Sequence, residues 1–239
     1  MFTGIVAAVG NIRRVEPLGD DGVRLSVDAG SLGMDDVAIG DSIAIQGACM
    51  TVVSMTPDSF TVDVSAESLR RTVGLAQPGP VNLEKAMRLS DRLGGHLVSG
   101  HVDGLGVVRQ YRPVGESHLL EILAPWSMAA FLVYKGSITV NGVSLTVNGV
   151  QDLALADALD AGWGADAAAV LRDTSVAAHP ADRCCAFQIN LIPHTVAVTT
   201  LQHVKPGDRV NLEVDMVARY LARRNEVERI DASLEQKVV

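Results

Sequence analysis

The chain carries most of itself twice, and this constrains its fold more than any other property. Phe2-Thr3-Gly4-Ile5-Val6 returns as Val98-Ser99-Gly100-His101-Val102, 96 positions later. Ser42 to Val52 returns as Ser137 to Val147 at an offset of 95, and Phe60 to Thr72 as Phe187 to Thr199 at 127. Val81-Asn82-Leu83-Glu84 is repeated letter for letter as Val210-Asn211-Leu212-Glu213 at 129. Four blocks in one order make the chain a tandem of two like domains. Its 239 residues leave roughly a hundred for each, an ordinary domain size. A duplicated domain can hold two copies of one ligand in related orientations. Places where the copies differ are then where chemistry is to be sought.

Within each copy, short alternating segments are separated by turn residues. Phe60, Val62 and Val64 share one face of a strand, as do Phe187, Ile189 and Leu191. Turn signals fall at Gly19-Asp20-Asp21-Gly22, Gly40-Asp41, Pro57-Asp58-Ser59, Pro78-Gly79-Pro80, Gly94-Gly95 and Lys205-Pro206-Gly207-Asp208. Many short strands at this spacing indicate an all-β sandwich or barrel, built twice. Helices are expected only around Leu83 to Leu93, near Pro125 to Tyr134, and at the C-terminus. From Asp215 to Gln236 there is no Gly or Pro, and Tyr220, Val227 and Leu234 recur at seven with Ile230 between. This reads as an amphipathic helix that packs on its own barrel or joins copies of the chain. The domain boundaries read 1–97, 98–214 and 215–239.

The offset jumps from 95 to 127 between Thr146 and Phe187, so the second copy holds about 32 extra residues within 151–186, a third of them Ala. Leu153 to Leu159 and Ala165 to Leu171 are helix formers on propensity. The segment is either a surface excursion between two strands or a lid or subunit contact.

A formal charge of −8 argues against a nucleic-acid partner, which needs a basic face. The Arg13-Arg14 pair follows the apolar start rather than preceding it, unlike a signal peptide. The longest largely apolar stretch, Ile122 to Tyr134, is too short to span a bilayer. Three cysteines make no disulfide framework, so a reducing, cytoplasmic location is expected.

The copies differ at three positions that matter. Cys49 corresponds to Ser144, Ala86 to Asp215, and Ile5 to His101. The second copy thus has a hydroxyl and a carboxylate where the first has a thiol and a methyl group. Each also has a plainer reading. Cys49 lies in an apolar block and suits a buried position, Ser144 has no His at nucleophile-motif spacing, and Asp215 can cap the helix that follows it. His96 and His101 lack a Cys or carboxylate at metal-ligand spacing.

Met1-Phe2-Thr3-Gly4-Ile5-Val6, Gly94 to Gly104, Asn141 to Val147 and Leu191-Ile192-Pro193-His194-Thr195 together resemble the riboflavin synthases of the trimeric α-type. The resemblance covers the chain in order except for 151–186. It implies two six-stranded Greek-key β-barrels, each binding a lumazine, and a C-terminal helix holding a homotrimer. It further implies an enzyme that converts two 6,7-dimethyl-8-ribityllumazine molecules into riboflavin and 5-amino-6-ribitylaminouracil, at sites between one subunit's first barrel and its neighbour's second. No redox or metal cofactor is needed, and an association with lumazine synthase is a further implication. In the first barrel the family's ligand contacts map onto Gly4, Ile5, Val6, Met50, Thr51, Asp63, Val64, Ser65, Ala66, Glu67 and Ser68. In the second they map onto Gly100, Val102, Lys135, Leu145, Thr146, Ile192, Pro193, His194, Thr195, Val196 and Ala197. The groups closest to the chemistry map onto Cys49, Ser144, Asp215 and His101. The alternatives are a non-catalytic lumazine or flavin carrier of the same fold, and a flavin-reductase barrel. The latter calls for a Gly-rich phosphate loop after a strand, absent from this sequence.

Overall fold

The computed structural model describes residues 1–19, 21–159, 163–173, 180 and 182–235. Strands β1 (Ala8–Pro17), β2 (Val23–Asp28), β3 (Ser42–Ile45), β4 (Ala48–Met55), β5 (Ser59–Val64) and β6 (Gly79–Lys85) form a closed barrel in the order β1-β2-β5-β4-β3-β6, with helix α1 (Ala66–Arg71) after β5. Strands β7 (Gly104–Val114), β8 (Ser117–Pro125), β9 (Ser137–Val140), β10 (Val143–Ala154), β11 (Arg183–Leu191) and β12 (Arg209–Val214) close a second barrel in the equivalent order. These are two antiparallel Greek-key barrels in tandem. Closure removes the exposed strand edges an open sheet would present. Phe60, Val62 and Val64 are buried in the first core, and Phe187, Ile189 and Leu191 in the second, as their alternation requires.

The duplication extends to irregularities. Pairing shifts register at Ile12/Arg14 and Val52/Ser54 in the first barrel, and at the equivalent Val108/Gln110 and Val147/Gly149 in the second. Such interruptions bend a strand and let a sheet turn its corners.

The barrels join through buried, reciprocal hydrogen bonds. Asn82 donates its amide to the Asn141 carbonyl (2.8 Å), and Asn211 donates to that of Gln46 (2.9 Å). The Thr200 N–H donates to Asn82 Oδ1 (2.8 Å) and the Val73 N–H to Asn211 Oδ1 (2.7 Å). Reciprocity of this kind marks a local two-fold relation between the copies.

The helix expected over Leu83 to Leu93 is absent. Leu83 is buried in β6, paired with Ala8 and Ile45, while Leu89 and Leu93 are exposed. The apolar spacing there serves a strand and then a surface turn. Near Pro125 the expected helix is a short 3-10 helix, Trp126–Phe131. In the inserted segment, β10 runs to Ala154 before α2 (Leu155–Ala158), and α3 is Gly164–Leu171. These helices pack on the outer face of the second barrel, over Val107, Leu123, Cys184 and Ala186. Burial pushes the Cys184 and Cys185 thiols up to about 11 and about 12, so both stay protonated structural groups. Helix α4 (Pro193–Val198) follows β11, and α5 is Met216–Glu235. Among the described residues no helix is long and apolar enough to cross a membrane.

Candidate functional site

Two segments exchange places between the barrels. Phe2 and Val98 pair antiparallel, their N–H groups donating to each other's carbonyls at 2.8 and 3.1 Å. Beyond that bridge the Ser144 N–H donates to the Gly4 carbonyl (2.7 Å), and the Cys49 N–H to that of Gly100 (2.8 Å). Val6 packs against the second core and Val102 against the first. Gly4, Ile5 and Val6 therefore lie on the second barrel and Gly100, His101 and Val102 on the first, opposite to the grouping by sequence order. The strands proper start only at Ala8 and Gly104, which leaves the preceding residues free to cross.

The two matched positions differ chemically. In the first barrel Cys49, half-buried, and Ala86 pack against an apolar cluster of Phe2, Ala44 and Val98. In the second barrel Ser144 Oγ lies 2.7 Å from His96 Nδ1, while His96 Nε2 is buried with no hydrogen-bond partner among the described residues. Burial holds the His96 pKa below its ordinary value, opposed by the nearby Asp215 charge, which raises it. Asp215 caps α5, accepting the Val217 N–H on Oδ1 (2.8 Å). A salt bridge from Arg219 to buried Asp103 (2.8 Å) and the Val214 N–H on Asp103 (2.8 Å) hold that turn. Ser144 and His96 thus form a hydroxyl and imidazole pair, with the Asp215 carboxylate within electrostatic reach of the ring. A neutral imidazole there can hold or pass a proton at Ser144 Oγ. Sequence spacing did not mark His96, 48 residues from Ser144. Its signal was the preceding Gly94-Gly95: a Cβ on Gly95 would lie 2.7 Å from the Ser144 Cβ, so only Gly lets the linker approach.

His101 and Ile5 occupy equivalent exposed positions. Thr51 and Thr146 are exposed at equivalent points of β4 and β10, whereas Met50, Val64 and, less fully, Leu145 and Val196 turn into the cores. Asp63 is bonded to Arg24 at 2.7 and 2.8 Å, which lowers its pKa. Ser65 caps α1 by accepting the Ser68 N–H (3.1 Å), and Ala66 follows it. Glu67 is engaged by Arg70 (2.7 Å) and Arg71 (3.0 Å). In the second barrel Ile192 precedes α4, Pro193 opens it, His194 and Ala197 are exposed, and the Thr195 carbonyl accepts the Thr199 hydroxyl (2.7 Å). Lys135 is exposed, with Nζ 3.2 Å from Asn148 Oδ1. A cleft of about 470 Å³ lies behind α1, lined by Glu67, Arg70, Arg71, Leu105, Asp173 and Arg209. Ser144 and Cys49 do not line that cleft.

Comparison with known proteins agrees with the duplicated two-barrel architecture. The model of the lumazine binding domain matches residues 3–86 and 99–215, once per barrel. The chain is 42% identical over 226 residues to a riboflavin synthase from Mycobacterium tuberculosis, covering 93% of this chain and 97% of that one. It is 41% identical over 229 residues to one from Photobacterium phosphoreum (93% and 88%), and 35% identical over 225 residues to one from Bacillus subtilis (93% and 89%). Among solved structures, LumP complexed with riboflavin aligns with a TM-score of 0.67 at 21% identity, over 90% of this chain and 99% of that one. LumP complexed with 6,7-dimethyl-8-(1'-D-ribityl) lumazine aligns at 0.66 and 22%. These two share the fold.

Proposed function

The chain belongs to the lumazine binding domain family, and from that premise we propose that it is an enzyme of the riboflavin synthase kind. It takes two molecules of 6,7-dimethyl-8-ribityllumazine, moves a four-carbon unit from one to the other, and releases riboflavin and 5-amino-6-ribitylaminouracil. One observation carries this reading: two matched sites, one bearing Cys49 in apolar surroundings and the other Ser144 bonded to His96 beside Asp215. A reaction between two identical molecules needs such inequality, because the two must be treated differently.

The 7-methyl group of a lumazine is acidic, since its carbanion delocalises into the ring, and a modest base suffices. Ser144, with His96 and Asp215 behind it, assists proton movement at one lumazine, while Cys49 and Thr51 act on the other. Stacking both rings supplies much of the rate, since orientation contributes roughly 7–11 kcal/mol in favourable cases.

The working pair spans two subunits of a homotrimer. Ile5, Leu97, Ile192 and Val198 are exposed apolar residues around the sites, and Val217, Tyr220, Leu221, Val227 and Ile230 line an uncovered face of α5. A neighbouring chain would cover both surfaces. Three free thiols fit a reducing, cytoplasmic setting. The test is incubation of the purified protein with 6,7-dimethyl-8-ribityllumazine alone. Riboflavin absorbance should develop, with one riboflavin formed for every two lumazines consumed. Tight binding without conversion would instead mark a carrier.

A further inference from the structure

We propose that Glu84 and Glu213, the last letters of the repeated Val-Asn-Leu-Glu, are positioning residues, each setting the backbone that supports the reactive side chain of the opposite barrel. The proposal rests on the two-site reading above and assigns that reading two residues it did not include.

Glu84 ends β6 of the first barrel and is buried. Its Oε1 accepts the Thr3 N–H and the Thr3 hydroxyl, both at 2.7 Å, and Oε2 accepts the Gly4 N–H at 3.0 Å. The carbonyl of Gly4 in turn accepts the N–H of Ser144, on the second barrel. Glu213, equally buried on β12 of the second barrel, repeats the arrangement. Its Oε1 accepts the Ser99 N–H (2.7 Å) and hydroxyl (2.6 Å), and Oε2 the Gly100 N–H (3.0 Å). The Gly100 carbonyl accepts the N–H of Cys49, on the first barrel. Each carboxylate is thus two hydrogen-bonded links from the reactive residue of the other copy.

The tolerance at these links is small. Gly4 and Gly100 have φ of +74° and +79°, and a Cβ on either would lie 2.6 Å from the Ser144 Cβ or 2.7 Å from the Cys49 Cβ. The clamped backbone is therefore in direct contact with the side chain it supports. A buried carboxylate is a costly way to fill a barrel, and burial pushes both of these upward in pKa. An apolar residue would pack as well but could not gather three donors from a crossing segment. Exact repetition of Glu, where Cys49/Ser144 and Ala86/Asp215 diverge, fits a task common to both sites.

The test uses full-length Glu84→Gln and Glu213→Gln proteins. Glutamine keeps the shape but turns one acceptor oxygen into a donor facing N–H groups. Amide hydrogen exchange is followed by mass spectrometry on fragments containing Ser144 and Cys49, alongside steady-state turnover. Glu84→Gln should speed exchange at the Ser144 fragment and leave the Cys49 fragment unchanged, and Glu213→Gln should do the reverse. Each should lower kcat about tenfold or more, as a displaced reactive group does. Ser99→Ala removes only the hydroxyl bond from its clamp, and Thr3→Val removes the hydroxyl bond together with the 3.2 Å bond that Thr3 Oγ1 accepts from the Ile5 N–H. They should shift the same fragments in the same direction to a lesser degree, which keeps the test valid should the Gln variants not fold. Uniform loosening of both fragments would overturn the proposal, as would unchanged exchange at the opposite barrel or full turnover in both Gln variants. A wild-type protein that makes no riboflavin would contradict the functional reading, while the exchange pattern would still decide the clamps.

Discussion

His96 is the residue whose role depends most on the fold. It lies in the linker between the copies, has no counterpart in the first, and gains its meaning only from its bond to Ser144. Replacing His96 with Gln should lower kcat about a hundredfold or more, the range usual for a lost proton-transfer partner. Burial depresses its pKa, so the imidazole is neutral at neutral pH. Turnover should stay level down to about the ordinary histidine value of ~6.5 and fall only below it. The unfolded chain takes up this proton first on acidification. Stability is therefore complete above the unfolded pKa and is lost as pH falls through the lower folded value. Both dependences should be missing from His96→Gln when pH–rate profiles and melting curves are compared. Asp215→Asn and Cys49→Ala should each slow turnover by more than about tenfold with lumazine affinity largely kept, as fluorescence titration would show. At this scale the sequence showed the unequal pairs Cys49/Ser144 and Ala86/Asp215. It could not reveal the Ser144–His96 contact, because neither helix nor strand periodicity links residues 96 and 144.

Single elements divide into those with local causes and those without. The strands follow from alternation: Phe60, Val62 and Val64 are buried where their period places them. α5 follows from a run without Gly or Pro, begun by the Asp215 cap. The expected helix at Leu83 to Leu93 failed because Leu83 completes a ladder with strands far away in sequence, which no local pattern shows. The inserted segment leaves the β10–β11 hairpin at Ala154 and Arg183, about 33 Å along the strand from Ser144 at ~3.3 Å per residue. It packs on the barrel's outer face, so its core contribution should be stabilising and not catalytic. Leu171→Ala, at a fully buried position, should cost about 2–4 kcal/mol in denaturant unfolding with kcat unchanged. For α5, Val217→Glu with Leu221→Glu charges two residues of its exposed apolar face. The proposed homotrimer should then dissociate in sedimentation velocity, and riboflavin formation should fall with it, while each barrel remains folded by circular dichroism.

The whole molecule is two barrels tied by reciprocal bonds, with their leading segments exchanged. The repeat made the tandem legible at once, since four matching blocks admit no other organisation. It did not show the exchange, because the bonds that fix Thr3 and Gly4 come from a residue 80 positions away, and those at Ser99 and Gly100 from one more than 110 away. The exchange means that Ser144 and Cys49 are each bonded to backbone of the other copy's leading segment. The central claim is that the two copies contribute unequal halves to one reaction, joined across a subunit boundary. Mixing two inactive proteins tests it most directly. Chains carrying Cys49→Ala and chains carrying Ser144→Ala are unfolded together, refolded as mixed trimers, and assayed for riboflavin formation from lumazine. An intact Cys49 half from one chain then meets an intact Ser144 half from its neighbour, and the mixture should regain a substantial fraction of wild-type turnover. Mixed trimers as inactive as either parent would contradict the account.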